Sequence, residues 1–118
     1  MTEPKIIDPQ AMERLKEWGG DKLAGQMVRL FLKNSGVRMD QIRQGGEAGD
    51  LGEAERGAHS LKSSAANIGA DIVRVFATQI ESASLDEDID QVRRILPELE
   101  TAYSDAMAEL VTIEKGIA

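Results

Sequence analysis

Asp50-Leu51-Gly52-Glu53-Ala54-Glu55-Arg56-Gly57-Ala58-His59-Ser60-Leu61-Lys62-Ser63-Ser64-Ala65-Ala66-Asn67-Ile68-Gly69 is the stretch on which the fold turns. Its apolar residues Ala54, Ala58, Leu61, Ala65 and Ile68 recur at spacings of four and three, the period of one buried stripe on a helix running from about Leu51 to Ile68. Stepping ~100° per residue places His59, the only histidine, about 140° from the centre of that stripe, facing solvent. Glu55, Lys62, Ser63 and Ala66 fall within about 60° of it on the same projection. The imidazole is therefore expected in a shallow clearing of small side chains with one cation beside it.

An imidazole is a nucleophile at neutral pH without an activating partner, because its ordinary pKa of ~6.5 leaves one nitrogen with a free lone pair. With a lysine one turn ahead, such a group can accept a phosphoryl group and hold it while the cation offsets part of the added charge. Lys62 is expected to be a solvated surface cation until phosphate arrives. Ser63 and Ala66 are expected to act by being small.

Outward from this helix the chain reads as helix on both sides. Asp8-Pro9 is a helix start, with aspartate as N-cap and proline at the first helical position, and a short helix follows to Gly19-Gly20. From Asp21 a longer segment carries Leu23, Met27, Leu30, Phe31, Val37 and Ile42 at an approximate helical period, and is expected to end at Gly45-Gly46. After Gly69, Asp71 is read as the cap of a helix bearing Ile72, Phe76, Ile80 and Ala83. Beyond the acidic turn Asp86-Glu87-Asp88, a last helix carries Val92, Ile95, Leu96, Leu99, Tyr103, Ala106, Leu110 and Ile113. Pro97 interrupts that pattern, and an interior proline costs ~3 kcal/mol, so a kink near Arg93 or a break into two helices is expected. Trp18 is expected to pack over the bundle end. Met12, Met27, Met39 and Met107 are read as core. Short connections between long amphipathic segments imply an all-α fold, an antiparallel up-and-down four-helix bundle with an additional short N-terminal helix.

The run Ala58-His59-Ser60-Leu61-Lys62-Ser63-Ser64-Ala65-Ala66-Asn67-Ile68-Gly69-Ala70 resembles the signature of histidine-containing phosphotransfer (HPt) domains, the carrier modules of multistep two-component phosphorelays. Gly49-Asp50-Leu51 looks like the turn that opens the histidine-bearing helix, Leu30-Phe31-Leu32 is similar to the aromatic position on the preceding helix, and Ile80-Glu81 resembles the end of the following one. The resemblance covers about residues 20 to 85. It departs at Ser63, where the family usually has glycine. It implies the same bundle, His59 as phosphoacceptor, Lys62 as counter-charge to the phosphate, and receiver domains of response regulators and hybrid histidine kinases as partners. It also implies that Glu81 accepts a hydrogen bond from the imidazole and orients it; a plain surface glutamate near a helix end is the alternative.

Composition sets the remaining bounds. Residues 1–118 suffice for one domain with a single core, and with only four aromatics that core must be aliphatic, alanine and methionine. There is no cysteine, hence no disulfide or thiolate metal site. No apolar run approaches the ~20 residues that span a bilayer, and Met1-Thr2-Glu3-Pro4-Lys5 lacks a signal pattern, so a cytoplasmic address without membrane contact is expected. A net charge of −7 argues against nucleic-acid binding, which needs a basic stripe. Between Arg56 and Ile80 three basic residues meet one acidic, whereas between Glu81 and Glu109 nine acidic meet two basic, so the histidine sits in a locally basic stretch ahead of an acidic one. Glu55, His59 and Glu81 fall short of the two-histidine spacing of helical zinc sites, and no glycine-rich phosphate loop for ATP is present. No cofactor is expected, with Mg²⁺ residing only on the partner receiver.

The expected function is that of a phosphocarrier, not an enzyme. Two other classes remain open at this point. One is a phosphate-independent adaptor that docks receivers; the other is the dimerisation and phosphoacceptor domain of a histidine kinase, which builds its bundle from two chains. A monomer favours the carrier.

Overall fold

The computed structural model describes residues 3–117; Met1 and Thr2, part of the N-terminal stretch read for targeting, lie outside the described residues. Four helices follow one another: α1 Pro9–Ala48, α2 Leu51–Ile68, α3 Asp71–Leu85 and α4 Ile89–Ile117. Asp8 caps α1 by accepting the Gln10 N–H at 3.0 Å, and Asp50 caps α2 by accepting from the Glu53 N–H at 3.1 Å. Each cap satisfies one backbone donor left unpaired at a helix start. Gly49 and Gly69 close α1 and α2 with φ of 72° and 80°, left-handed conformations that glycine adopts without a Cβ penalty.

Each helix packs on its neighbour in the chain, and α4 closes back onto α1. Along α1 and α4 the partners run in opposite order. Ser35 Oγ meets the Tyr103 hydroxyl at 2.8 Å, the Arg43 guanidinium pairs with Glu100, and Arg93 Nε donates to the Gly46 carbonyl at 2.8 Å. Antiparallel packing requires that order. The centre is apolar, with Met39, Ile42, Leu61, Ile80, Leu99 and Leu110 fully buried. Met12 and Met39 lie in this core, and Met27 and Met107 pack against it.

Several boundaries differ from the sequence reading. One agrees: Gly19 (φ −153°, ψ 19°) and Gly20 (φ 68°, ψ −167°) leave helical geometry, so the span Pro9–Ala48 is two helical stretches meeting at a kink where the first was expected to end. Trp18 does not cover the bundle end. It falls near the turn of Ala11 and Leu15, the helix bends at the next residue, and the indole stays 73% exposed. Leu30 and Val37 are likewise exposed, because Val28, Phe31 and Met39 take the buried positions on α1. The cap of α3 is Ala70, without a side-chain bond, and Asp71 is the first helical residue. α4 runs through Pro97 unbroken. Arg93 and Pro97 are both exposed, so water can take the carbonyl that proline leaves without a partner, while Val92, Ile95 and Leu99 hold the helix to the core.

Gly45 and Gly46 do not end α1; they are buried within it, and the helix extends to Ala48. A Cβ at Gly45 would lie 2.6 Å from the Ala54 nitrogen and 2.8 Å from the Asp50 carbonyl oxygen. Neither is the movable tip of a side chain, so glycine here lets the start of α2 lie against α1. Gly45→Ala should therefore force the two helices apart, lowering stability by ~2 kcal/mol and the melting temperature by roughly 8 °C. Thermal unfolding followed by circular dichroism checks this. An unchanged melting temperature would show that the contact relaxes freely.

Candidate functional site

The site is built on α2, whose inner stripe leaves no freedom in its outer face. Ala54, Ala58, Leu61 and Ala65 are fully buried, and the backbone is drawn close to α1 at Gly57, where a Cβ would stand 3.0 Å from the Arg38 carbonyl oxygen. The opposite face must point to solvent. His59 lies there with its side chain 60% exposed.

α3 reaches this face through Glu81. His59 Nδ1 lies 2.5 Å from Glu81 Oε2, and Lys62 Nζ donates to Glu81 Oε1 at 2.6 Å. The Glu81 side chain is only 13% exposed, so both bonds form in a partly desolvated setting. Lys62, and secondarily His59, hold the Glu81 carboxyl below the ordinary glutamate range against the opposing effect of burial. An ionised carboxylate can only accept. Nδ1 therefore carries the proton of the neutral ring, and Nε2 keeps its lone pair and its exposure.

The remaining neighbours leave that nitrogen accessible. The Ser63 hydroxyl turns back to donate to the His59 carbonyl at 3.2 Å, and Ala66 is exposed, as is Asn67. Beside this face, a groove of about 280 Å³ runs between α1 and α2, lined by Met27, Leu30, Phe31, Ser64 and Asn67 among others. The exposed Leu30 gives it an apolar rim.

The family model of the Hpt domain matches residues 26–110, most of the chain. The chain belongs to the Hpt domain family. The crystal structure of histidine-containing phosphotransfer protein B from Pseudomonas aeruginosa PAO1 superposes with a TM-score of 0.87 at 17% identity, covering 96% of this chain and 97% of that one. A candidate histidine-containing phosphotransfer protein from rice gives a TM-score of 0.77 at 19% identity, covering 95% of this chain and 84% of that one. At these identities the likeness is one of fold. No curated protein sequence matches the chain.

In this Hpt domain the structure brings His59, Lys62, Ser63, Ala66 and Glu81 onto one surface. One feature was not expected from sequence. Lys62 is not a free surface cation but is 30% exposed and paired with Glu81, an interhelical contact that no spacing along α2 could reveal. Glu55 also approaches: one ligand atom each from Glu55, His59 and Glu81 lie within 4.8 Å of one another. Both Glu81 oxygens are already engaged by Lys62 and His59, so a metal ion there would have to displace a cation and a hydrogen bond.

The depressed pKa of Glu81 has a consequence for stability. A carboxyl whose folded pKa lies below its unfolded value of ~4.3 contributes stability that is complete above that value and is lost as pH falls through the folded pKa. Glu100, lowered by Arg43, acts in the same sense. Melting temperature should thus fall with acidification below about pH 4, and Glu81→Gln should lower it at neutral pH, where the carboxylate's contribution is complete, and so flatten part of that fall. An unchanged acid limb in the variant would mean that the Glu81 contacts do not persist in solution.

Proposed function

We propose that this Hpt domain is a phosphocarrier of a two-component phosphorelay: His59 takes a phosphoryl group from the aspartyl phosphate of one receiver domain and passes it to the aspartate of another. The observation that carries the reading is the His59 Nδ1 to Glu81 Oε2 bond at 2.5 Å, which occupies one ring nitrogen and leaves Nε2 as an exposed nucleophile. In the transfer the bond from phosphorus to the aspartate oxygen breaks as the bond from Nε2 to phosphorus forms. The Nδ1 proton stays in place. The product is a phosphorylated imidazolium whose positive charge faces the ionised Glu81, so no proton has to move during the step.

The chain's part is the nucleophile and its setting. Mg²⁺ and the acidic pocket that stabilise the moving phosphoryl group belong to the receiver, so this domain is a transfer intermediate rather than an enzyme, with no cofactor of its own. Ser63 and Ala66 give the receiver clearance, and the groove beside Leu30 offers it an apolar rim. A transient interface of modest area suits such a carrier. Four long helices supplied by one chain favour a monomer over the two-chain bundle of a kinase dimerisation domain. Sedimentation should return one copy, and a stable dimer would contradict the carrier. Receiver partners imply a cytoplasmic address, and no described helix is long and apolar enough to cross a membrane. Incubation with a ³²P-labelled receiver and Mg²⁺ tests the reading: label should move to this chain, and its retention on the receiver would refute transfer.

Lys62 has two partners to serve. In the free protein it pairs with Glu81, and a phosphoryl group on Nε2 offers it a second anion one turn away. Lys62→Ala should slow transfer about fivefold, the equivalent of ~1 kcal/mol for a charge-assisted contact in a partly exposed site. Its melting temperature should fall by only a few degrees, because the partly buried Glu81 carboxylate loses its main partner but keeps His59. Equal transfer rates for variant and parent would remove Lys62 from the mechanism.

A further inference from the structure

A second groove lies away from the histidine. It runs between α3 and α4 over about 420 Å³, with a floor of Ile6, Ile72, Phe76 and Ala102 and the exposed carboxylates of Glu98 and Asp105 on its α4 side. Its floor side chains from α3, Ile72 and Phe76, are only half-buried and pack against the edge of the core. The buried residues of α3 are Val73, Ala77, Ile80, Ala83 and Ser84, and the outer sides of Ile72 and Phe76 are uncovered by a helix. On α3, Phe76 and Glu81 are five residues apart, about 140° around the axis at ~100° per residue. The groove and the His59 face therefore look in different directions. The charged side chains that line the groove, Glu98 and Asp105, are both acidic.

We propose that the α3–α4 groove is a second docking surface, which takes a basic amphipathic helix of a partner protein while His59 remains free for transfer. A helix fits because the channel between two neighbouring helices accepts the ridge of a third, with apolar residues at i, i+3 and i+4 meeting Ile72, Phe76 and Ala102. Lysine or arginine on its flanks meets Glu98 and Asp105. The complementary charge favours encounter with basic segments and disfavours acidic ones. This proposal does not rest on the phosphocarrier reading, because neither His59 nor Glu81 takes part.

The test uses a fluorescein-labelled 18-residue Leu/Lys peptide designed to form one apolar and one basic helix face, with a sequence-scrambled peptide of equal composition as control. Titration into the full chain should give saturable anisotropy for the helical peptide and weaker binding for the scrambled one. Amide shifts in ¹H–¹⁵N spectra should centre on Ile72, Phe76 and Ala102. Thr101→Arg, an exposed position lining the groove, should weaken binding about tenfold, as should the pair Glu98→Lys and Asp105→Lys. Glu17→Lys with Glu114→Lys, an equal change of charge elsewhere, should leave binding within about twofold of the parent. His59→Gln should bind the peptide as the parent does, which keeps this result separate from the fate of the phosphotransfer reading. Shifts centred on the Leu30 groove, equal binding of the scrambled peptide, or equal loss in the charge-matched control would each overturn the proposal.

Discussion

His59→Gln should take up no phosphoryl group at all, while folding like the parent. The side chain is 60% exposed and makes one side-chain bond, to Glu81, so its replacement removes the nucleophile without opening a cavity. Phosphoryl transfer needs a lone pair aimed at phosphorus, and the glutamine amide does not provide one of useful nucleophilicity. Loss should therefore be complete within detection, with a melting temperature within about 2 °C of the parent. The parent's adduct should be acid-labile and base-stable, as a phosphorus–nitrogen bond on imidazole is. Residual labelling of the variant, or a label that survives mild acid, would assign the phosphate to another residue.

Bulk at Ser63 or Ala66 should be almost as damaging to transfer and almost as harmless to the fold. Both positions are exposed on the outer face of α2, opposite the stripe buried from Ala54 to Ile68. In-line transfer tolerates only about an ångström of displacement between donor and acceptor atoms. Ser63→Arg or Ala66→Tyr places a long side chain over the imidazole and holds the receiver's aspartate out of reach. A fall in transfer of at least about a hundredfold is expected, with circular dichroism and melting temperature retained. Ser63→Gly, the residue usual in the family, should keep transfer, since the Ser63 hydroxyl only bonds back to the His59 carbonyl. Parent-like rates in the bulky variants would place the docking face elsewhere on the bundle.

The inner stripe and the outward histidine were legible because both follow from the helical period within one helix. Ala54, Ala58, Leu61, Ala65 and Ile68 are all buried as that period requires. On α3 the same reasoning was right for Ile80 and Ala83, which are buried, but passed over Val73 and Ala77 for the larger Ile72 and Phe76, which pack only against the edge of the core. Glycine was also ambiguous. At Gly19 and Gly20 it marks a real departure from helical geometry, whereas at Gly45 and Gly46 it marks close packing inside a helix, a distinction that depends on where α2 begins in space. Within the site, the pairing of Lys62 with Glu81 lay beyond reach for the same reason. It joins residues 19 apart across two helices and depends on how α3 is set against α2. The role of Glu81 toward the imidazole came from family resemblance, and the 2.5 Å contact with Nδ1 gives it a physical basis.

The most direct test of the account is nitrogen NMR of the single imidazole before and after phosphorylation. With ¹⁵N-labelled histidine and only His59 to observe, long-range ¹H–¹⁵N correlations distinguish the two ring nitrogens without ambiguity. In the free protein Nδ1 should be the protonated nitrogen and Nε2 the bare one; after phosphorylation the nitrogen–phosphorus coupling should appear on Nε2, with Nδ1 still protonated. Coupling on Nδ1, or a phosphorylated protein whose imidazole signals are unchanged, would contradict the assignment of Glu81 as the group that turns His59 Nε2 outward to carry phosphate.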